Sequence, residues 1–191
     1  LRPDANAHIT RRYGDGKPYK FQYDGAPTVN DHVLLARRLV EAGVRSVSLS
    51  YGRWDSHGDN FGLVRDHGAK LDQCVSALVQ DLDERGMLND VTVVVWGEFG
   101  GTPRINAKGG REHWTFRYSP LLAGPGIRGG TVYGASDGPC AYVKDLPVST
   151  GDICATIYHC LGIDPETTVP DQLSRPIPIA HGGRPIREIL A

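Results

Sequence analysis

The sequence predicts an α/β fold with a largely parallel sheet, on two observations. Residues 91–96, VTVVVW, form a short apolar run that is rich in β-branched residues and does not alternate with polar ones. Such a run is typical of a strand buried on both faces of a parallel sheet. Helical and strand-like segments also alternate along the chain, which is the order found in α/β domains. Ligands of open parallel sheets bind beyond the carboxyl ends of the strands, so the polar loop after Trp96 is the first candidate for a site.

Three segments have the apolar spacing of helices, and each ends at a glycine, the residue that most readily closes a helix. The predicted helices begin at Asn30, at about Arg65 and at Ser149, and they are ended by Gly43, Gly86 and Gly162. The side chain of Asn30 is expected to cap the first helix. Ser149 and Asp152 give the third helix the pattern of a capping box.

Strands are expected between and after these helices. The predicted strands are residues 44–51, 91–96, 119–123 and, for a short one, 131–133, with Ile177 and Ile179 as a candidate edge strand in an otherwise extended tail. Residues 1–29 are polar and rich in turn formers, which predicts a surface arm or linker.

Composition narrows the possible functions. The chain has 191 residues, 40% of them hydrophobic and 23% charged, which is ordinary for a globular domain. A net charge of -1, without runs of lysine and arginine, predicts no nucleic-acid partner. No apolar stretch is long enough to span a bilayer. The four cysteines have no metal-type or redox-type spacing and are interpreted as structural thiols, with a disulfide between two of them as the alternative. The chain begins at Leu1 and its one methionine is Met87, which indicates a piece of a longer protein.

Asp55 and His57 form the first candidate for chemistry, in the polar loop WDSHGDN at residues 54–60. Side chains two positions apart on an extended segment project to the same side, and carboxylate oxygen with imidazole nitrogen is a normal ligand pair for a divalent metal. In the alternative interpretation, Asp55 caps a turn and His57 is an exposed loop residue.

Glu98 and His113 form the second candidate, in the glycine-rich loop 97–114. If both loops open on the same edge of the sheet, these residues and the first pair give an oxygen and nitrogen set for one or two divalent metals. Arg104 and Arg111 are candidates for binding the oxygens of a phosphate or sulfate ester through charge-assisted hydrogen bonds. Either arginine can instead pair with Glu112 or Asp59.

Several long segments resemble the bacterial domain of unknown function 1501. The resemblance is carried by LLARRLVEAGVR, WDSHGDNFG, LDQCVSALVQDLDERGMLNDVTVVVWGEFGGTPRIN, GGREHW and VYGASD, and it runs from about Asn30 to the C-terminus. It implies membership of the alkaline phosphatase and sulfatase-like superfamily. The implied fold is a three-layer α/β sandwich with a largely parallel sheet. Residues 30–191 would be the C-terminal part of that domain, which would be incomplete at its N-terminal side.

The resemblance also implies a chemistry. Asp55, His57, Glu98 and His113 would bind a divalent metal, with zinc, manganese and calcium as the candidates. The full-length protein would be an exported hydrolase of phosphate or sulfate esters, acting on an anionic small molecule or a glycan ester. The nucleophile would lie outside these residues, so the chain alone is expected to be inactive, and Thr102 is interpreted as a turn residue.

Two residues depart from the family pattern. Phe99 stands where a metal-binding histidine is expected, and Gly101 stands where an arginine is expected. An alternative function is therefore an exported, non-catalytic protein that uses the fold for binding or assembly.

Overall fold

The computed structural model describes residues 7–15 and 28–191 and divides the chain into two compact units. The first unit comprises Leu1–Gly86 with Arg104–Glu112, and the second comprises Met87–Pro103 with His113–Ala191. Most of residues 1–29, the predicted arm, lies outside the described part of the chain. Within 7–15 and 28–191, no helix combines the length and the apolar character needed to cross a bilayer.

Three helices build the described part of the first unit. They are α1 (Ala7–Tyr13), α2 (Asn30–Glu41) and α3 (Asn60–Glu84). The helices bury a small common core because the apolar residues of α2 and α3 recur at helical spacing and therefore share one face. The buried core residues are Tyr13, Val33, Leu34, Cys74 and Ala77.

The helix predictions for this unit are confirmed, with corrections at the starts. Asn30 does not cap α2, because Val29 occupies the cap position and makes no side-chain cap bond. Asn30 is instead buried, and its Oδ1 accepts a hydrogen bond from the hydroxyl of Tyr51 at 2.6 Å. Helix α3 begins five residues before the predicted start, because Asp59 caps it by accepting a bond from the backbone N–H of Gly62 at 3.2 Å.

A buried ionic network joins the three helices around Asp81, which is 2% exposed. Its Oδ2 lies 2.8 Å from Nε of Arg37 and accepts the hydroxyl of Tyr13 at 2.9 Å. Its Oδ1 accepts Nε of Arg85 at 2.7 Å. Arg37 also pairs with Glu41 on its own helix. Buried charges persist only when they are paired and hydrogen-bonded, so this network fixes how α1 and α2 pack on α3.

The second unit contains short antiparallel strand pairs and one long helix. The pairs are β1 (Val93–Val95) with β4 (Leu121–Ala123), β2 (Gly100–Gly101) with β3 (His113–Trp114), β5 (Ala135–Ser136) with β6 (Val143–Asp145), and β7 (Thr168–Pro170) with β8 (Pro176–Pro178). Helix α4 (Thr150–Cys160) follows β6, and a single 3₁₀ turn (Arg187–Ile189) lies near the end.

The predicted three-layer sandwich with a largely parallel, alkaline phosphatase-like sheet is wrong. Each of the four described sheets has two strands, and every pair is antiparallel. The β-branched run does form β1, but its residues are only half-buried, so it is not a strand covered on both faces. Residues 44–51 and 131–133 form no strand. Local sequence indicates extended backbone, whereas the direction and partner of a strand depend on distant segments.

Helix α4 confirms its prediction in detail. Ser149 is its cap, and a full capping box links the Ser149 and Asp152 side chains to each other's backbone N–H groups. The other carboxylate oxygen of Asp152 accepts a hydrogen bond from the backbone N–H of Arg184 at 2.9 Å. The hydroxyl of buried Thr156 accepts a hydrogen bond from the backbone N–H of Ile186 at 3.0 Å. These two side chains fasten part of the predicted extended tail to the helix.

Candidate metal centre

His57 lies between two carboxylates within the first unit. Its Nε2 is 2.9 Å from Oδ1 of Asp55, and its Nδ1 is 2.7 Å from Oε2 of Glu112. All three side chains are about half-exposed, at 46% for His57, 58% for Asp55 and 56% for Glu112. The two predicted ligands from the loop before α3 therefore lie together, and the structure adds a carboxylate from the segment 104–112.

Backbone hydrogen bonds join the loop before α3 to the segment 104–112. The N–H groups of Asp59 and Asn60 donate to the carbonyl oxygens of Lys108 and Gly109 at 3.1 and 2.9 Å. The N–H of Arg111 donates to the carbonyl oxygen of Ser56 at 2.9 Å. These bonds set the register of the two segments, and that register brings Glu112 to the imidazole of His57.

Gly110 allows the two segments to approach closely. A Cβ atom at this position would lie 2.0 Å from the carbonyl carbon of His57 and 2.1 Å from its oxygen. Those atoms belong to the backbone, so they cannot turn aside as a side chain would. The glycine at 110 is therefore required for this arrangement.

Asn106 holds the site together with its whole side chain. Its Nδ2 donates to Oε1 of Glu112 at 2.7 Å and to the carbonyl oxygen of His57 at 3.0 Å. Its Oδ1 accepts the backbone N–H groups of Lys108 and Gly110, each at 2.9 Å. Two donors and two acceptor positions are the full capacity of an asparagine amide. The carboxylate of Glu112 is thus fixed on one oxygen by Asn106 and faces His57 with the other.

Of the two arginines predicted to bind an anion, Arg111 uses part of its guanidinium for a hydrogen bond within the site. Its Nε donates to Oδ1 of Asn60 at 3.2 Å, and Nδ2 of Asn60 donates to the Ser56 hydroxyl at 2.5 Å. Arg104 is exposed at the start of the same segment. Both belong to the first unit.

A buried histidine lies behind this loop. His67 of α3 is 1% exposed, its Nδ1 donates to the carbonyl oxygen of Leu63 at 3.1 Å, and its ring meets the edge of Trp54 at a centroid distance of 5.5 Å. Burial is the main cause that lowers the pKa of His67, because the cation is poorly solvated there. His67 therefore supports the loop as a neutral side chain.

The other two predicted ligands belong to the second unit. Glu98 is exposed in the bend after β1. His113 begins β3, where it pairs with Gly101, and its ring packs on Phe99 at a centroid distance of 4.6 Å. Phe99, which replaces the expected histidine, is thus a packing partner of a proposed ligand. The metal assignments of Glu98 and His113 stay predictions.

The residues around His57 are carboxylates and an imidazole, which are ligand types that a divalent cation accepts. Neighbouring ligands of tetrahedral zinc lie roughly 3.3 Å apart, so a bound ion would hold Asp55 Oδ1 and His57 Nε2 slightly farther apart than their 2.9 Å. A neutral imidazole carries one N–H, yet both ring nitrogens of His57 face carboxylates. One of the two contacts therefore needs a proton or a metal ion.

Glu112 is the residue that sequence reasoning missed. The sequence indicates Glu112 only as an ion-pair partner for arginine, although its place beside His113 in a glycine-flanked loop is a signal of a functional position. Its partner His57 is 55 positions away, and nothing local in the sequence specifies that contact.

A family model described as "Protein of unknown function (DUF1501)" matches residues 3–190, so the match begins well before Asn30. No curated protein and no solved structure matches the chain. The chain therefore belongs to the DUF1501 family, as its sequence motifs predict.

Proposed function

We propose that this protein is a metal-dependent hydrolase of phosphate or sulfate esters and that Asp55 and His57 bind the metal. The observation that carries the proposal is the position of His57, with each ring nitrogen within 3 Å of a carboxylate oxygen. Carboxylate and imidazole are the ligand types that zinc and manganese use in hydrolases, and calcium accepts the carboxylates. Membership of the alkaline phosphatase and sulfatase-like superfamily is part of the same proposal. These residue types support it, whereas the antiparallel strand pairs do not.

The bound metal would polarise an ester oxygen and stabilise the charge that develops in the transition state. Arg104 and Arg111 are the proposed partners for the remaining ester oxygens, because a guanidinium matches the geometry of a phosphate or sulfate group. The expected substrate is an anionic small molecule or a glycan ester. Glu98 and His113 are proposed as further ligands, and the basis for them is the family resemblance alone.

Metal titration tests the proposal. Purified wild-type protein is stripped with a chelator and titrated with zinc, manganese and calcium in a calorimeter. We expect saturable binding of one of these ions, and we expect His57→Ala to abolish it without changing the far-ultraviolet circular dichroism spectrum. A wild-type protein that binds none of the three ions would refute the proposal. His159→Ala is the matched control, because His159 lies on α4 in the second unit.

A second candidate is a non-catalytic exported protein that uses this fold for binding or assembly. The observation that favours it is the packing of Phe99 on His113, because an apolar ring occupies a position where a metal ligand is expected. Aryl phosphate and aryl sulfate assays on the full-length, metal-loaded protein separate the two candidates. Turnover that disappears in His57→Ala favours the hydrolase, and metal binding without turnover favours the second candidate.

A further inference from the structure

We infer that Glu112 and Asn106 are positioning residues that make Nε2 the metal-binding nitrogen of His57. The inference rests on the proposed metal site and extends it to residues that neither the motifs nor the resemblance assign. Asn106 holds Glu112, Glu112 holds Nδ1 of His57, and Nε2 of His57 faces Asp55.

The first step is the tautomer of His57. The carboxylate oxygen Oε2 of Glu112 lies 2.7 Å from Nδ1 and can only accept a hydrogen bond when ionised. Nδ1 must therefore carry a proton, and in the neutral imidazole that a metal ion binds this leaves the lone pair on Nε2. Metal-binding histidines commonly donate their other N–H to a carboxylate in this way, which fixes the ring and raises its basicity.

The second step is the direction in which the lone pair points. Nε2 lies 2.9 Å from Oδ1 of Asp55, so the lone pair and the Asp55 carboxylate converge on one place. Two acceptors this close repel each other unless a proton or a metal ion lies between them. The pair Asp55 and His57 therefore provides ligand atoms, whereas Glu112 lies on the opposite side of the ring.

The third step is why Glu112 is a positioning residue. Its Oε1 is held by the amide of Asn106 at 2.7 Å, and its Oε2 is engaged by His57. The same amide bonds the His57 carbonyl oxygen and two N–H groups of the segment that carries Glu112. Asn106 thus controls the position of Glu112 relative to the imidazole.

Nitrogen NMR of His57 tests the tautomer directly. Uniformly ¹⁵N-labelled protein is loaded with zinc, and the ring nitrogens of His57 are assigned by comparison with His57→Gln. We expect Nδ1 to retain its proton and Nε2 to show the shift of a zinc-bound nitrogen. Zinc bound through Nδ1 would overturn the inference while leaving the proposed metal site intact. Failure of the wild type to bind zinc at all would overturn both.

Zinc affinity tests the two positioning residues. We expect Glu112→Ala to weaken zinc binding by about 10- to 100-fold, the usual effect of removing a partner of a ligating histidine. Glu112→Gln should recover part of this loss, because its amide oxygen can still accept a hydrogen bond from the Nδ1–H group. An unchanged zinc affinity in Glu112→Ala would overturn the assignment of Glu112.

In Asn106→Ser, the hydroxyl can still accept hydrogen bonds from the backbone of the turn, but the side chain is too short to reach Glu112. We expect this substitution to weaken zinc binding in the wild-type background and to have little further effect in Glu112→Ala, because it acts through Glu112. An equal loss in both backgrounds would show a merely structural role and would overturn the assignment of Asn106. Asn89→Ser is the matched control, since Asn89 is exposed in a turn of the second unit.

Discussion

The centre depends on single residues whose neighbours leave no room for change, and Gly110 is the clearest of them. Its Cα faces the peptide group of His57, so a methyl group there would overlap backbone atoms. Either the segment 104–112 moves away, which separates Glu112 from His57, or the backbone around His57 distorts. Both outcomes displace His57, the proposed ligand, although no charged side chain of the site is changed.

Gly110→Ala should therefore lower the free energy of unfolding by about 1–3 kcal/mol, the range for overpacked positions, and should weaken zinc binding. Urea denaturation and zinc calorimetry measure the two effects. Gly68→Ala is the control, because a Cβ at Gly68 meets nothing within 4 Å outside its own helix. We expect that change to be neutral or to stabilise by up to roughly 1 kcal/mol through helix propensity. Equal behaviour of the two variants would contradict the close approach.

At the scale of elements, α1 is held to α3 by polar groups as well as by its apolar face. The hydroxyl of Tyr13 donates to Asp81 at 2.9 Å in the buried network, and Arg12 pairs with Glu84 at 2.6 Å on the surface. Exposed pairs contribute little, whereas a hydrogen bond to a buried carboxylate contributes more. The attachment of α1 therefore depends mainly on Tyr13.

Tyr13→Phe should destabilise the first unit by roughly 1–3 kcal/mol, because Asp81 loses a donor that water cannot easily replace. Hydrogen exchange should rise in the amides of α1 and stay unchanged in α4. Tyr118→Phe in the second unit is the matched control and should leave both helices unaffected. Protection of α1 that survives in Tyr13→Phe would mean that apolar packing alone holds this helix.

The elements also show what sequence could and could not predict. Helices α2, α3 and α4 follow from local signals, namely apolar spacing, the Ser149 capping box and the glycines after their ends. The antiparallel direction of β1 does not follow from local sequence, because its partner β4 lies far along the chain. The proximity of Asp55 to His57 is predictable because the two residues share one loop. The contact of Glu112 with His57 is not predictable, because it depends on a register set by non-local backbone hydrogen bonds.

At the scale of the whole molecule, each unit contains a structural carboxylate with a lowered pKa. Burial raises the pKa of Asp81 in the first unit, but hydrogen bonds from Arg85 and Tyr13 and the charge of Arg37 outweigh burial, so the net shift is downward. In the second unit, the backbone N–H of Arg184 and the Ser149 hydroxyl lower the pKa of Asp152. Both groups stabilise the fold in their ionised form.

Acid should therefore weaken both units. An aspartate with a pKa below its unfolded value of about 3.9 stabilises the protein above that pH, and the stabilisation is lost as the pH falls through the folded pKa. We expect the urea midpoint to begin to fall below about pH 6.5, because buried His67 resists protonation in the folded state, and to fall further below about pH 5 as the aspartates are protonated. Asp81→Asn should remove part of this dependence in the α3 amides and Asp152→Asn part of it in the α4 amides, as followed by hydrogen exchange corrected for the intrinsic effect of pH. If either variant keeps the wild-type pH dependence in its own helix, that aspartate does not stabilise its unit through its charge.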